Sequence, residues 1–454
     1  MSIENQQLEN AKILFNEIAE LSEKQDHEAA ITAYETWLTQ FSSQKEEAIQ
    51  LYVAMVMANK AVSLTALNRT DEALSAYDAL VTRFAESEDN NLQIFVGKTL
   101  FDKAVTLRKA KRNEEVHAVY DELINRFRDS QEVELQICVA KALFNKAGNL
   151  DAVEKPEEAL AIYDDLIVLF SKSSDLQLQN NVAKALFYKA VTLKNQERTE
   201  EEIACYDELI RLFSQSDDKE LQNGVAKALF NKAASLYSLE QIDEAIATYD
   251  TLIQRFITVE DEATAKIVAN SFFEKIALLS EQGHLDEEVK GYESFLERFS
   301  KSNEPTVQIM IATALINKAV SLAQLGRHDE SVASYDDLLA RFGDHEDKNI
   351  QLYVARALFS KGSSIGDRGN PEAAIPVYDD FLERFGGTEE GGLQVGVATT
   401  HIKKAIYLTS LGRIPEAKAS YERLIEEMDA EKNMTLRHYI TMAEQGKNEL
   451  EKHL

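Results

Sequence analysis

Leu221–Leu239 reads LQNGVAKALFNKAASLYSL; a polar turn, Glu240–Ile242, follows, and Asp243–Phe256 then reads DEAIATYDTLIQRF. In the first stretch Val225, Leu229, Ala233 and Leu236 recur at helical spacing on one face. In the second, Ala245, Ile246, Tyr249, Leu252, Ile253 and Phe256 form another apolar stripe. Each stripe must be buried against something, and the turn between them is short. The spacing therefore predicts two antiparallel helices, A and B, of about 19 and 14 residues.

The same pattern extends in both directions. Tyr249 belongs to a series, Tyr34, Tyr77, Tyr120, Tyr163, Tyr206, Tyr249, Tyr292, Tyr335, Tyr378 and Tyr421, spaced 43 residues apart without insertion or deletion. An acidic residue follows each Tyr, from Glu35 to Glu422, and Phe comes seven residues after it, from Phe41 to Phe385, with Met428 in the last copy. Self-similarity at this period means a stacked array of two-helix repeats. Length alone would suggest roughly three domains. The repeat replaces that with an all-α solenoid of about ten antiparallel helix pairs over residues 1–430 and a C-terminal capping helix over 431–454. Leu436, Ile440 and Ala443 keep the helix A phase before the chain turns polar as NELEKHL, the wet face that an array end needs.

Start and stop signals agree. Gly283, Gly326, Gly369 and Gly412 fall in the A–B turn, where a left-handed C-cap is expected. Pro156, Pro371 and Pro415 sit at helix B starts, and Thr70 and Thr199 are candidate N-caps, Thr199 with Glu202 as a capping box. Pro376 lies inside the ninth helix B and is expected to bend it.

The unit resembles the tetratricopeptide repeat: a large apolar and a small residue in helix A, Gly in the turn, Ala and an aromatic in helix B. Leu229, Ala233, Ala245 and Tyr249 fill these positions in one copy, and Leu315, Ala319, Gly326 and Tyr335 in a later one. The helix B Ala is replaced by Val116, Glu202, Glu288 and Ser331. The family's usual repeat has about 34 residues, so these units are longer, and a row of Lys from Lys60 to Lys404 stands where the family has a large apolar residue. HEAT-type repeats have a similar period but fit the small/aromatic pattern less well. The resemblance implies a right-handed α-α superhelix with helix A lining a concave groove. It also implies a non-enzymatic protein-interaction scaffold.

Composition sets outer bounds. Lys and Arg total 49 and Asp and Glu 78, a formal net charge of −29, with 44% hydrophobic residues, so the chain is acidic but globular. That charge disfavours nucleic acid. Two Cys exclude a disulfide scaffold and fit a reducing, cytoplasmic setting. No basic n-region followed by an apolar run is seen near the N-terminus, and no run of about 18 purely apolar residues predicts a membrane span.

Signals for chemistry are missing. No two of the eight His are three or four apart, there is no GxxxxGK[ST] loop, and the glycines from Gly386 to Gly396 do not follow a strand. No metal, cofactor or catalytic group is expected. Cys138 and Cys205 read as buried thiols and Trp37 as core.

Three periodic rows remain. The Lys60–Lys404 row can pair with the acids beside Tyr while its stems pack on the stripe. A second row holds Asn16, Asn59, Asn145, Asn231 and Asn317, with Asp102, Tyr188 and Glu274 between. A third holds Lys98, Lys141, Lys184 and Lys227, with Arg356 further on, each of these Lys four residues before the Asn phase and so on the same helix face. Two readings are open for these rows. Asn amides can read a peptide backbone and Lys can hold carboxylates of an acidic partner segment in the groove. Alternatively, Asn bridges neighbouring helices and Lys faces solvent. A self-assembling structural protein, or a regulatory subunit whose acidic outer surface meets a basic partner, is the other functional reading.

Overall fold

The structure is a computed structural model that describes residues 3–427 and 434–452; Met428 and the 430/431 boundary fall outside them. The A helices are α1 (Ile3–Glu23), α3 (Glu47–Ala66), α5 (Asn90–Lys109), α7 (Val133–Ala152), α9 (Leu176–Asn195), α11 (Lys219–Ser238), α13 (Glu262–Glu281), α15 (Pro305–Gln324), α17 (Lys348–Gly366) and α19 (Gly391–Ser410). The B helices are α2 (His27–Phe41), α4 (Thr70–Phe84), α6 (Asn113–Phe127), α8 (Pro156–Phe170), α10 (Thr199–Phe213), α12 (Ile242–Phe256), α14 (Leu285–Phe299), α16 (His328–Phe342), α18 (Pro371–Phe385) and α20 (Ile414–Glu427). A final helix, α21 (Met434–Glu451), follows. The expected ten pairs and last helix are all present, and the described residues contain no strand.

Residues 1–235 form one compact body and residues 236–454 a second, with the division near the end of α11. In the N-terminal body each A helix packs on its own B helix and on the B helix before it. Successive A helices α3, α5, α7 and α9 also touch, while no B helix packs against the next B helix among the described residues. The layer whose members touch lies on the inside of the stack. The core repeats: in α7 and α8, Leu135, Val139, Leu143, Ala147 and Leu150 are buried with Ala159, Tyr163, Leu166 and Phe170. A buried aromatic of this size removes about 150–250 Å² from water, so the Tyr series anchors the stack.

The C-terminal body repeats the arrangement from α12 onward and ends with α21 packed on α19 and α20. Leu436, Ile440, Ala443 and Leu450 of α21 are buried. The need for a small residue in helix A is visible at Gly362, where an added Cβ would lie 2.5 Å from the Tyr378 ring. Helix α18 continues through Pro376.

The A–B turns are uniform, although their residues are not. Gly283, Gly326, Gly369 and Gly412 have φ between 72° and 86°, as expected. Gln25, Asn68, Lys111, Glu154, Glu197 and Glu240 take the same left-handed place with φ of 59–61°. The turn closes by the helix's own carbonyls: Arg198 N–H donates to Leu193 O at 3.0 Å and Glu197 N–H to Lys194 O at 3.0 Å. This geometry corrects the N-cap expectation. Arg69 and Arg198, not Thr70 and Thr199, occupy the cap positions, and neither makes a side-chain cap bond. Glu202 does not close a capping box either; it is buried and accepts from the Ser235 hydroxyl at 2.7 Å.

The membrane expectation also needs amending. Helices α3 and α15 are long and apolar enough to cross a membrane by length and composition, with mean hydropathy of 1.2 and 1.4. Both pack against the helices on either side of them, which accounts for that composition.

Candidate functional site

The Lys60–Lys404 row and the acids beside Tyr meet across every repeat junction. Lys60 reaches Glu35 at 2.8 Å, Lys146 reaches Asp121 at 2.5 Å, Lys189 reaches Asp164 at 2.5 Å and Lys318 reaches Glu293 at 3.1 Å. The row continues through Lys103, Lys232, Lys275, Lys361 and Lys404, and Lys447 of α21 adds a looser member 3.6 Å from Glu422. The Lys side chains from Lys60 to Lys404 are only 17–24% exposed. Their stems lie in the interface between repeats and their charges are already answered, so this row fixes register.

The other Lys row lies on the opposite, inner face of the A helices. Lys98, Lys141, Lys184 and Lys227 are all exposed, on α5, α7, α9 and α11. Lys184 is tied to Glu220 at 2.8 Å. Lys98, Lys141 and Lys227 have no ion pair within 4 Å among the described residues. At the same phase α3 carries Met55, α13 Asn270 and α15 Thr313, which bound an unbroken basic run of four helices; Lys12 of α1, in phase beyond Met55, is paired with Glu9. Arg356 is exposed on α17 of the C-terminal body.

Around Lys98 and Lys141 lies a cavity of about 430 Å³, also lined by Phe101, Asp102, Glu134 and Cys138. Burial raises the Asp102 carboxyl above the usual carboxylate range, against the pull of Lys141 and Lys98. Burial also pushes up the Cys138 thiol, and the Cys205 thiol to about 11, as suits inert core thiols. On α9 Tyr188 is 48% exposed and stands edge-on to Phe144 and Phe187, with ring centres 5.4 and 5.9 Å away.

The Asn row is not an open ladder. Asn231 stands beside the Tyr206 hydroxyl and Asn317 beside the Tyr292 hydroxyl, where each amide pulls the phenol's pKa down against the upward push of burial. Asn145 accepts from Arg108 at 3.1 Å and donates to the Lys141 carbonyl at 2.7 Å. Asn231 and Asn317 thus face the Tyr of the preceding helix B, whereas Asn145 is taken up by Arg108 and its own helix. Asn59 is half-buried on α3. With Asn145 drawn to Arg108, the buried Tyr120 hydroxyl has no partner among the described residues.

Sequence reasoning missed one recurring cluster. Glu202 accepts from Ser235 at 2.7 Å and lies beside the Tyr206 hydroxyl, while two repeats later Glu288 accepts from Ser321 at 2.7 Å. Glu in place of the helix B Ala, with Ser and Asn at matching offsets in both copies, was the available signal. A larger cavity, about 810 Å³, lies in the C-terminal body beside His401, Lys404 and Arg423. There His401 occupies the position that is Leu in seven of the nine other repeats, contacts the Ser420 hydroxyl at 3.2 Å and lies 3.7 Å from Glu427. Burial, with Lys404 and Arg423 nearby, lowers its pKa to about 4.

Two sequence models described as tetratricopeptide repeat match the chain, at residues 227–256 and 316–389. No curated protein matches it in sequence. Among solved structures it is similar to the apo form of RapI, at 12% identity over 82% of this chain and 96% of that one, with a TM-score of 0.43. A tetratricopeptide repeat protein from Parabacteroides merdae matches at 12% identity over 68% of this chain and 99% of that one, with a TM-score of 0.34. The P58(IPK) TPR domain matches at 13% identity over 87% and 98%, with a TM-score of 0.24. At those identities and scores the likenesses carry no functional information. The two family matches show tetratricopeptide repeats at residues 227–256 and 316–389, and the ten-copy two-helix pattern with its Tyr, Ala and turn residues extends the same kind of repeat, lengthened to 43 residues, along the chain.

Proposed function

We propose that the chain is a non-catalytic scaffold that binds an acidic segment of a partner protein, extended or helical, along the inner face of α5, α7, α9 and α11. The observation that carries this is the contrast between two Lys rows of equal period. One is answered throughout by carboxylates of the same chain; in the other Lys98, Lys141 and Lys227 have no ion pair among the described residues. Three exposed, unpaired ammonium groups held on rigid helices attract carboxylates at little ordering cost to the protein. The half-buried Phe101, Phe144 and Phe187 of the same helices give such a segment apolar surface to lie on. Tyr188 and the remaining amide capacity of Asn145 and Asn231 add polar contacts. A protein ligand suits the face better than nucleic acid or a membrane, since the net charge of −29 opposes phosphate. The raised, protonated thiols of Cys138 and Cys205 make poor nucleophiles, in keeping with a non-catalytic role. A reducing, cytoplasmic location fits the same reading.

Selection from a random dodecapeptide library tests it. Binders enriched on the wild-type protein are expected to be rich in Asp and Glu and to be lost on Lys141→Glu with Lys227→Glu. Neutral or basic binders that ignore the reversal would refute the proposal.

A further inference from the structure

We propose that a notch between α9 and α11 takes one aromatic side chain of the acidic segment. The inference rests on reading the inner A face as the binding face. It starts from Gly224. At that position in the other A helices stand side chains such as Tyr52, Phe95, Ile267, Met310 and Tyr353. Gly224 supplies none, and a Cβ placed on it meets nothing within 4 Å. A glycine inside a helix weakens it. Gly224 is not in the left-handed region, so the backbone does not demand it. The equivalent Gly396 differs, for Phe381 closes to 3.3 Å of its Cβ place. Gly224 therefore leaves space that its helix would otherwise fill.

The resulting cavity is about 190 Å³. That exceeds the roughly 150 Å³ that accepts a benzene ring and falls short of the roughly 300 Å³ at which small-molecule sites begin. It has the size for one side chain. Leu209 of α10, fully buried, contributes an apolar wall, and Phe187 and the half-exposed Tyr188 contribute rings set edge-on to one another. Such walls favour a ring over an aliphatic chain, because aromatic pairs gain from edge-to-face contact. Two lysines line the same notch. Lys184 is held by Glu220, and Lys227 has no ion pair among the described residues. The occupant this selects is Phe, Tyr or Trp with Asp or Glu beside it in sequence: the ring fills the notch and the adjacent carboxylate meets Lys227. A buried aromatic of this kind is the usual energetic centre of an interface.

The test uses two fluorescein-labelled peptides, Asp-Glu-Asp-Phe-Asp-Glu-Asp and the same sequence with Ala at the centre, read by anisotropy. On the wild-type protein the Phe peptide is expected to bind about tenfold more tightly. Gly224→Leu, which plugs the notch from an open helix position, should reduce the Phe peptide to the affinity of the Ala peptide and leave the Ala peptide unchanged. Gly224→Ala, the milder filling, should reduce the preference in part while raising thermal stability; circular dichroism checks both folds. Equal affinity of the two peptides for the wild type, or a preference that survives Gly224→Leu, overturns the notch. If the two peptides bind equally and are both lost on Lys141→Glu with Lys227→Glu, the notch fails and the face stands. If neither peptide binds the wild type, face and notch fall together.

Discussion

Two faces of the same A helices carry lysine at the same 43-residue period, and their surroundings give them different work. On the face toward the preceding helix B, Lys146 meets Asp121 at 2.5 Å with its side chain only 19% exposed. On the inner face, Lys141, five residues earlier on the same helix, is exposed and has no ion pair within 4 Å among the described residues. A row of identical charges is therefore not a binding site because it is a row. What decides is whether the next repeat supplies the counter-charge.

Both faces depend on a stack that the Tyr series anchors, and removing one member gives the largest expected loss. Tyr163→Ala should cost about 3–5 kcal/mol, because a fully buried aromatic leaves a cavity that the stack fills only in part. In a nearest-neighbour array the damage should begin locally. Hydrogen exchange should show α7, α8 and α9 losing protection first. Uniform loss along the N-terminal body would show that the repeats do not act as neighbours.

His401 marks where the repeat pattern is broken in the core. Its folded pKa of about 4 lies below the unfolded value of about 6.5. Between these values the unfolded chain binds a proton that the folded one does not, so stability falls as pH drops from about 6.5 to about 4 and this contribution is then exhausted. Lys404 and Arg423 repel the protonated ring, while Asp379 and Glu427 only partly answer it. The loss is about 3 kcal/mol. His401→Leu, which restores the residue other repeats use, should flatten this part of the stability profile relative to wild type. Parallel profiles would show that His401 does not titrate in that window.

A smaller effect separates two copies of one Tyr. The Tyr206 hydroxyl has Asn231 and Glu202 beside it, whereas that of Tyr120 is buried without a partner among the described residues. Tyr206→Phe should lower stability by about 1 kcal/mol, and Tyr120→Phe should leave it level or raise it. Equal losses in denaturant titrations would mean that Asn145 serves Tyr120 after all.

These contrasts show what the sequence made legible. The architecture was readable because period, apolar stripe and aromatic all repeat without an insertion, and a stack of such units has few alternatives. The paired Lys row was readable as one of two options, since Lys and acid recur at a fixed offset. The left-handed turns at Lys111, Glu154 and Glu197 were not: no glycine marks them, and only the carbonyl bonds closing the turn require the conformation. The fate of Asn145 was hidden too. It turns on Arg108, a residue present in one repeat only, which draws the amide away from Tyr120. The notch beside Gly224 could not be read from the sequence, because the open space there is bounded by neighbouring helices.

The central claim is that the inner row binds and the junction row holds register. The most direct measurement sets Lys141→Glu with Lys227→Glu against Lys146→Met with Lys189→Met, and follows thermal stability together with affinity for one acidic peptide selected on the wild type. The inner-face pair should lose at least about tenfold in affinity, since attractions become repulsions, while stability moves by no more than about 0.5 kcal/mol per site. Wild-type binding should also weaken with salt, because exposed charges are screened over about 8 Å at physiological ionic strength. The junction pair should keep the affinity and lose up to about 1 kcal/mol of stability per site. If the inner-face variant binds the peptide as the wild type does, with the same salt dependence, the inner lysines are a solvated surface and the proposed function is wrong.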